Sequence, residues 1–334
     1  MNIKKIGLTA LAGSLVATTA FAGTMTLSGA AKLSHTSKDA SAAGARTGGD
    51  AASPFAMDNE LTASGSAELD NGMTVSVSHG LGSRGDGASS STSTLTLDMG
   101  DMGKIAYSDL DIGGGLKALD DKTPTAYEEV TNGVADEVQA AMGNGAGFSY
   151  SNTVGGASIG ITYSNNVNSS GSTDGKVGSG TGSSSSSSIG VTYPVGDTGL
   201  TVYGGVGTAG QADSTEIDHT TYGATYAFGP VTIGAQVNDQ DNSAADNTVA
   251  ADEDLETTIM GISFAVNENL SISYGEHTTT STATNAVDQE LEGINISYSM
   301  GGMTLAIGDH EGENISNVEN VDNSETEILL TFAF

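Results

Sequence analysis

Apolar residues recur at every second position in short runs along this chain, and each run ends at turn residues. Ile159, Ile161 and Tyr163 alternate with Ser158, Gly160 and Thr162. Val231, Ile233, Ala235 and Val237 alternate with Thr232, Gly234, Gln236 and Asn238. Leu270, Ile272 and Tyr274 do so with Ser271, Ser273 and Gly275, and Ile294, Ile296, Tyr298 and Met300 with Asn295, Ser297 and Ser299. A period of two predicts strands with two chemically different faces. The second face is small and polar throughout, so it is not a second core. The pattern predicts sixteen strands, at about 24–35, 57–69, 72–80, 92–99, 103–108, 146–154, 157–165, 187–194, 198–206, 219–228, 230–238, 255–266, 269–277, 289–300, 302–309 and 324–334.

The connectors alternate in length. Seven are tight, with turn chemistry such as Asp70-Asn71-Gly72, Gly155-Gly156, Gly229-Pro230 and Gly301-Gly302. Eight are long and polar, at about 36–56, 81–91, 109–145, 166–186, 207–218, 239–254, 278–288 and 310–323. Backbone polar groups in lipid need internal partners, so a spanning sheet must close on itself. An apolar-out, polar-in fold with short turns on one side and long loops on the other is a transmembrane barrel. The fold class is therefore all-β, a sixteen-stranded antiparallel barrel with short periplasmic turns, long extracellular loops and both termini on the short-turn side. Sixteen strands leave a lumen wide enough for water. Tyr163, Tyr193, Phe228, Phe264, Tyr274, Tyr298, Phe332 and Phe334 lie near strand ends, where aromatic girdles sit.

Composition supports this reading. Only 37% of the 334 residues are hydrophobic and 5% aromatic, too few for a dense water-soluble core but enough for one lipid-facing side of each strand. No run of ~18 apolar residues exists to form a spanning helix. The net charge of −31, from 10 basic and 41 acidic residues, excludes a nucleic-acid backbone as a partner. Without cysteine there is no disulfide or thiolate chemistry. Residues 1–22 read as a cleaved signal peptide, with Lys4 and Lys5, an apolar stretch from Ile6 to Val16, and an Ala20-Phe21-Ala22 cleavage site. One barrel domain, 23–334, would remain.

With that frame the chain resembles the Gram-negative outer-membrane general porins, closest to the alphaproteobacterial, Rhodobacter-like type. The resemblance rests on Thr26-Leu27-Ser28-Gly29, Met102-Gly103-Lys104-Ile105, the segment Tyr222-Gly223-Ala224-Thr225-Tyr226-Ala227-Phe228-Gly229-Pro230, and the end Leu330-Thr331-Phe332-Ala333-Phe334. It implies a homotrimer, a third loop folded inward as a constriction, passive diffusion of small hydrophilic solutes, and no enzymatic activity. Phe334 would be the signal read by the barrel assembly machinery.

The longest loop, 109–145, occupies the place of the family's inward loop. It carries Asp109, Asp111, Asp120, Asp121, Glu128, Glu129, Asp136 and Glu137 against Lys117 and Lys122. Lys32 falls on the polar face of the first strand, at the family's basic position. Asp58-Asn59-Glu60 stands where the family tends to place arginines; Arg46 and Arg84 are expected in loops. Acidic groups at a narrowing favour cations, so Asp58, Glu60 and the loop acids predict a cation-favouring pore. A short helix is expected within Tyr127 to Met142. The small outward residues Gly29, Ala31, Ala63, Gly65 and Ala67 mark the expected trimer contact, by analogy with packed membrane helices.

Other motifs weigh less. Gly205-Val206-Gly207-Thr208-Ala209-Gly210 fits a dinucleotide fingerprint, but no helix follows it. Gly156-Ala157-Ser158-Ile159-Gly160 fits a nucleophile elbow, but strand alternation runs through it; Ser158 is expected to line the pore. The five histidines are scattered without metal spacing, and His79 is expected to face the lumen. The acidic segments at 239–256 and 309–322 could hold structural Ca²⁺ or contact lipopolysaccharide phosphates through divalent ions. Ser183 to Ser188 is expected to be a flexible loop tip. A secreted β-rich adhesin or surface-layer protein could share the acidity, and an outer-membrane lipase the barrel. An adhesin needs neither the strict connector alternation nor the C-terminal aromatic Phe334, and no Ser/His/Asp constellation stands out for a lipase.

Overall fold

The computed structural model describes residues 24–40, 54–84, 88–109, 112–135, 146–167, 183–210, 216–243 and 254–334. The expected signal peptide, Arg46, Asp111, Asp136 and Glu137 lie outside them. Among the described residues sixteen strands form a closed antiparallel barrel in which each strand pairs with its sequence neighbours. They are β1 Thr24–Ala40, β2 Phe55–Glu68, β3 Thr74–Arg84, β4 Ala88–Asp98, β5 Lys104–Ser108, β6 Gly147–Val154, β7 Ala157–Val167 and β8 Ser183–Pro194. The second half comprises β9 Leu200–Gly210, β10 Glu216–Phe228, β11 Val231–Ser243, β12 Leu255–Ala265, β13 Leu270–Ser281, β14 Gln289–Met300, β15 Met303–Glu313 and β16 Asn323–Ala333. The β6–β7 turn shows why glycine punctuates the short side: Gly155 and Gly156 both take positive φ, +60° and +88°, a conformation costly for other residues.

The barrel is inside-out relative to a water-soluble protein. Ile161, Tyr222, Ile233, Ile294 and Phe332 are exposed on the outer wall, whereas Thr162, Thr221, Gln236, Asn238, Ser273 and Asn295 are buried on the inner one. Alternation along each strand produces this division directly. The girdle expected near the short turns is present in Tyr193, Phe228, Phe264, Tyr298, Phe332 and Phe334, all on the outer wall. Phe55, Tyr107, Phe148 and Tyr163 form its counterpart toward the loops.

Closure runs through β1 and β16, in register from Ala30↔Ala333 to Ala40↔Asn323. The ladder continues onto the last residue: Gly29 N–H donates to Phe334 O and Phe334 N–H to Gly29 O, both at 2.9 Å. A Cβ on Gly29 would lie 2.8 Å from a Phe334 ring carbon and 2.8 Å from the Glu60 carbonyl. Gly29 is therefore covered by the C-terminal ring of its own chain.

Several segments differ from the sequence-based expectation, all but His79 for one reason. Strands continue beyond the apolar alternation, because a hydrogen-bond ladder above the membrane needs no greasy side chain. Ser183 to Ser188 is not a loop tip but the start of β8, paired with β7 from Ser183↔Val167 onward. Arg84 is not in a loop but ends β3, opposite Asp58. His79 is not on the lumen face. It pairs with outward Ala63, and its Nδ1 lies 2.6 Å from Ser93 Oγ. The acidic stretches are partly strand too: Asp218 faces Asp241, Asp239 faces Glu256, and Glu276 faces Glu292, which in turn faces Glu311.

The face assignment predicts an asymmetry. Ile262→Arg, mid-height on the outer wall, is expected to destabilise the barrel by roughly 2–4 kcal/mol, and Ser263→Arg, facing the lumen, by far less. Urea midpoints for barrels folded in lipid measure both, and equal losses would mean the faces are assigned wrongly.

Candidate functional site: the lumen and its inward loop

β5 is five residues long, so the chain leaves the wall early and low. Beyond it, residues 112–135 run inside the barrel. Ile112, Leu116, Leu119, Val130 and Val134 are buried there; Val130, Val134 and Ala135 cluster with Leu291 of β14 and with Ile315. A polar lumen would not hold such a segment by apolar contact alone. The inner wall instead supplies side-chain donors and acceptors to the loop's backbone, which inside a barrel has no strand partner of its own.

These tethers follow the wall strand by strand. On β8, Ser188 Oγ accepts from Leu116 N–H at 2.9 Å and sits 2.6 Å from Thr162 Oγ1 of β7. On β11, Gln236 accepts from Lys122 N–H at 3.0 Å and donates to Leu119 O at 2.7 Å, while Asn238 donates to Asp120 O at 2.8 Å. Ser273 of β13 accepts from Ala126 N–H at 2.8 Å, and Asn295 of β14 donates to Glu128 O at 2.9 Å. Asn323 of β16 donates to Val134 O at 2.8 Å. Each such bond is worth about 1 kcal/mol net, and a buried amide left without one costs more. Burial, reinforced by the Glu327 carboxylate, pushes the Tyr127 hydroxyl's pKa up. Tyr127 therefore stays protonated and donates to Glu327 at 2.9 Å.

Glycine makes the seat. Gly160, Gly190 and Gly205 are direct cross-strand partners on the lumen face of β7, β8 and β9. Gly234, Gly261, Gly275 and Gly293 form a second row across β11 to β14. A Cβ on Gly205 would lie 2.9 Å from Leu116 Cδ1, one on Gly234 2.6 Å from Pro124 Cδ, and one on Gly293 3.0 Å from Val130 Cγ1. Side chains in these rows would occupy the space in which the loop lies.

The predicted site residues are thus distributed unevenly. Lys32 and Asp58 are direct partners on the lumen face, in the alternation that leaves Leu33 and Met57 exposed outside. Glu60 lies on the same inner face, opposite Ala30. Glu128 is exposed on the loop and Asp120 is half-buried. Asp121 points to the wall, not the pore: its Oδ2 is 3.3 Å from His277 Nε2 on β13, its side chain 7% exposed. Asp120, Asp121 and Glu129 line a water-sized cavity behind the loop, closed by His277, Thr257 and Gln289. Asp109 stays at the head of β5, accepting from Ser93 N–H at 2.6 Å. The expected helix is absent from 127–135, which forms turns closed by Asn132 N–H to Glu129 O and Ala135 N–H to Thr131 O. Among the described residues no group of three or more acidic or histidine side chains could hold a metal ion.

Sequence reasoning missed the anchors: Ser188, Gln236, Asn238, Ser273, Asn295, His310 and Asn323. A signal was available. Gln236, Asn238 and Asn295 are large amides on strand faces where glycine, serine and threonine recur, as in Thr232, Gly234, Gly293, Ser297 and Ser299. It also missed Glu325, buried, ion-paired with Lys38 and pressed against Gly133 of the loop. Counting the described charges on the inner face of β1, β2 and β16 and on the loop, Lys32, Lys38, Lys117 and Lys122 stand against Asp58, Glu60, Glu68, Glu325, Glu327, Asp120, Asp121, Glu128 and Glu129.

A closed sixteen-stranded barrel with a wall-tethered inward loop is the architecture of a channel. A Gram-negative porin family model matches residues 7–314. The chain belongs to the Gram-negative porins, outer-membrane β-barrel channel proteins without enzymatic activity. Among solved structures it is similar to the anion-selective porin from Comamonas acidovorans, at 16% identity over 93% of this chain and 100% of that one, with a TM-score of 0.66. It is similar also to OmpT of Vibrio cholerae in a trimer form, at 11% identity over 94% and 100%, TM-score 0.71. A substituted Rh. blastica porin matches at 14% over 93% and 100%, TM-score 0.62. No curated protein sequence matches the chain.

The glycine seat yields a test. Gly234→Val is expected to force the loop off the wall at a cost of about 1–3 kcal/mol, raising trypsin cleavage at Lys117 and Lys122 about tenfold or more in folded barrels. Gly82→Val, where a Cβ meets nothing within 4 Å, is expected to leave cleavage unchanged.

Proposed function

We propose that the chain forms a water-filled channel for passive diffusion of small hydrophilic solutes and ions, and that this channel favours cations. The observation that carries the ionic preference is the excess of carboxylates over basic groups on the inner wall and loop. Lys38 is engaged by Glu325 and Lys104 by Asp98 at 3.0 Å, so the basic side of the pore is thin. Rings of like charge at a narrowing select the opposite ion. The anion preference named for the Comamonas porin belongs to a chain 16% identical, which fixes no lumen charge here. The zero-current potential across a KCl gradient is expected to have the sign of a cation-favouring pore. The double substitution Asp58→Asn with Glu60→Gln should lower the cation-to-anion permeability ratio, by roughly twofold given screening inside a wet lumen. An anion-signed potential in the unmodified protein would overturn the preference while leaving the channel standing.

We further propose a homotrimer joined through the β1–β2 side, as the trimer form of OmpT makes reasonable. Ala31, Ala63, Gly65 and Ala67 keep that outer wall low. The His79–Ser93 pair lies on the same outer face, next to Ala63. A polar pair against lipid tails is costly, and a neighbouring protomer would relieve that cost. Gly29, under Phe334, is a poor probe. Gly65→Leu with Ala67→Leu is expected to convert trimer to monomer on native gels while heat-modifiable mobility persists. An undiminished trimer would exclude this face.

A further inference from the structure

The inner faces of β1 to β5 carry hydroxyls in register. Thr26 of β1 stands opposite Ser64 of β2, Ser64 opposite Ser78 of β3, Ser78 opposite Thr94 of β4, and Thr94 opposite Ser108 of β5. One level nearer the short turns, Ser66, Ser76 and Thr96 form a second row. The alternation that leaves Leu27, Val77, Leu95 and Tyr107 exposed on the outer wall turns all of these toward the lumen. Side chains in such a grid lie about 5 Å apart across strands and about 7 Å apart along them. Charge returns only at its edges, with Lys32, Asp58 and Glu60 on the loop side and Glu68, Asp98 and Lys104 on the turn side.

These hydroxyls are unengaged. Ser188, Ser273 and the amides of β11, β14 and β16 bond the inward loop's backbone, whereas among the described residues no grid hydroxyl has a hydrogen-bond partner. Ser108 shows this most clearly. It is 3% exposed, and its Oγ has no partner. A buried hydroxyl with donor and acceptor both unused carries a desolvation cost that a hydroxylic ligand would remove. The inward loop supplies none, because its tethers hold it to the other side of the lumen.

A serine or threonine hydroxyl both donates and accepts, so a grid of them imposes neither charge nor fixed polarity on what it holds. A neutral polyol presents the same two functions along its length, with hydroxyls on alternate carbons spaced much as neighbouring strands are. It replaces bound water one hydroxyl at a time without leaving a donor or acceptor empty. An ion does not, since hydroxyl dipoles offset only part of its hydration, and an ether oxygen accepts without donating. Resting on the channel reading above, we propose that the β1–β5 face of the lumen is a low-affinity track for neutral polyhydroxylated solutes, the polyols and small sugars. No aromatic side chain lies on the grid, so a sugar ring finds no stacking platform and is held only briefly. Passage is fastest when a site is favourable enough to enter and weak enough to leave.

Swelling of liposomes that carry the full chain tests the track, with ribitol compared against triethylene glycol, an ether of similar size and fewer hydroxyls. The ratio of the two entry rates, corrected for diffusion in water, is expected to favour ribitol in the unmodified protein. It is expected to fall about threefold when Ser64→Ala, Ser66→Ala, Ser76→Ala and Ser78→Ala are combined, the lower range of one net hydrogen bond. Because the readout is a ratio for solutes of one size, a change in the pore as a whole cancels. Should the combined variant fail to fold, as heat-modifiable mobility reports, Ser78→Ala alone is expected to move the ratio in the same direction. As a measurement needing no substitution, ribitol is expected to block the KCl current of unmodified barrels more strongly than triethylene glycol at equal viscosity. A ratio indifferent to the serines, or equal block by the two solutes, would overturn the track while the KCl conductance keeps the channel standing. Absence of that conductance in the unmodified protein would remove both.

Discussion

Backbone amides within a bilayer have no water to bond, and this governs the chain at every level. It forces the sheet to close, which requires β1 to meet β16 and brings Phe334 onto Gly29. Closure makes one face of every strand lipid-facing and the other internal, so alternation appears in the sequence with polar residues on the buried side. The same requirement reappears inside the lumen. Residues 112–135 leave the ladder and carry unpaired backbone groups, and the inner wall answers them with Gln236, Asn238, Ser273, Asn295 and Asn323. The loop is held chiefly by the polarity that lipid exclusion has already placed on that wall.

This explains which features were legible in the sequence. Ile159 to Tyr163 and Ile294 to Met300 announce their strands because lipid demands apolar groups there, and turn glycines such as Gly155 and Gly156 mark the short side because few residues accept their φ. Above the membrane that demand ends. Ser183 to Ser188 pairs with β7 without any apolar residue, and Arg84 extends β3 in the same way, so neither could be told from a loop. The inward path of 109–145 was expected from the family resemblance, by the loop's place after the fifth strand, and 112–135 follow it, yet their seat was not legible. The glycine rows are visible only when strands are laid side by side in register, and register across seven strands is not a local property. Asp121 and Glu128 belong to one acidic loop in sequence; which of them turns to the wall depends on His277 and Asn295, more than 150 residues away.

The charge distribution follows two regimes. On the outer wall above the apolar band, carboxylates are paired with carboxylates across strands, as in Asp239 with Glu256 and Glu276 with Glu292. Directly opposed like charges destabilise a sheet, and here the Tyr274 hydroxyl, 2.7 Å from both Glu276 Oε1 and Glu292 Oε2, eases one pair by donating its single proton to one carboxylate at a time. Glu256, Glu276 and Glu292 are exposed, where salt screens them, and Asp239 is half-buried. Inside the lumen the buried Glu325 is matched by Lys38, because an unpaired charge there lacks the solvent that the outer surface has in excess.

The tethers also decide where the pore runs. They arise from β8, β11, β13, β14, β15 and β16, so the loop lies along that side and leaves the opposite wall, β1 to β4, facing open lumen. That wall carries Lys32, Asp58, Glu60 and hydroxyls such as Ser64 and Ser78. The gap in the lumen therefore lies between a face bearing both signs of charge and a loop whose described charges are mostly acidic, Asp120, Asp121, Glu128 and Glu129 against Lys117 and Lys122. Moving the loop by even the width of a methyl group would change that gap directly, since the glycine rows bring it as close to the wall as backbone allows.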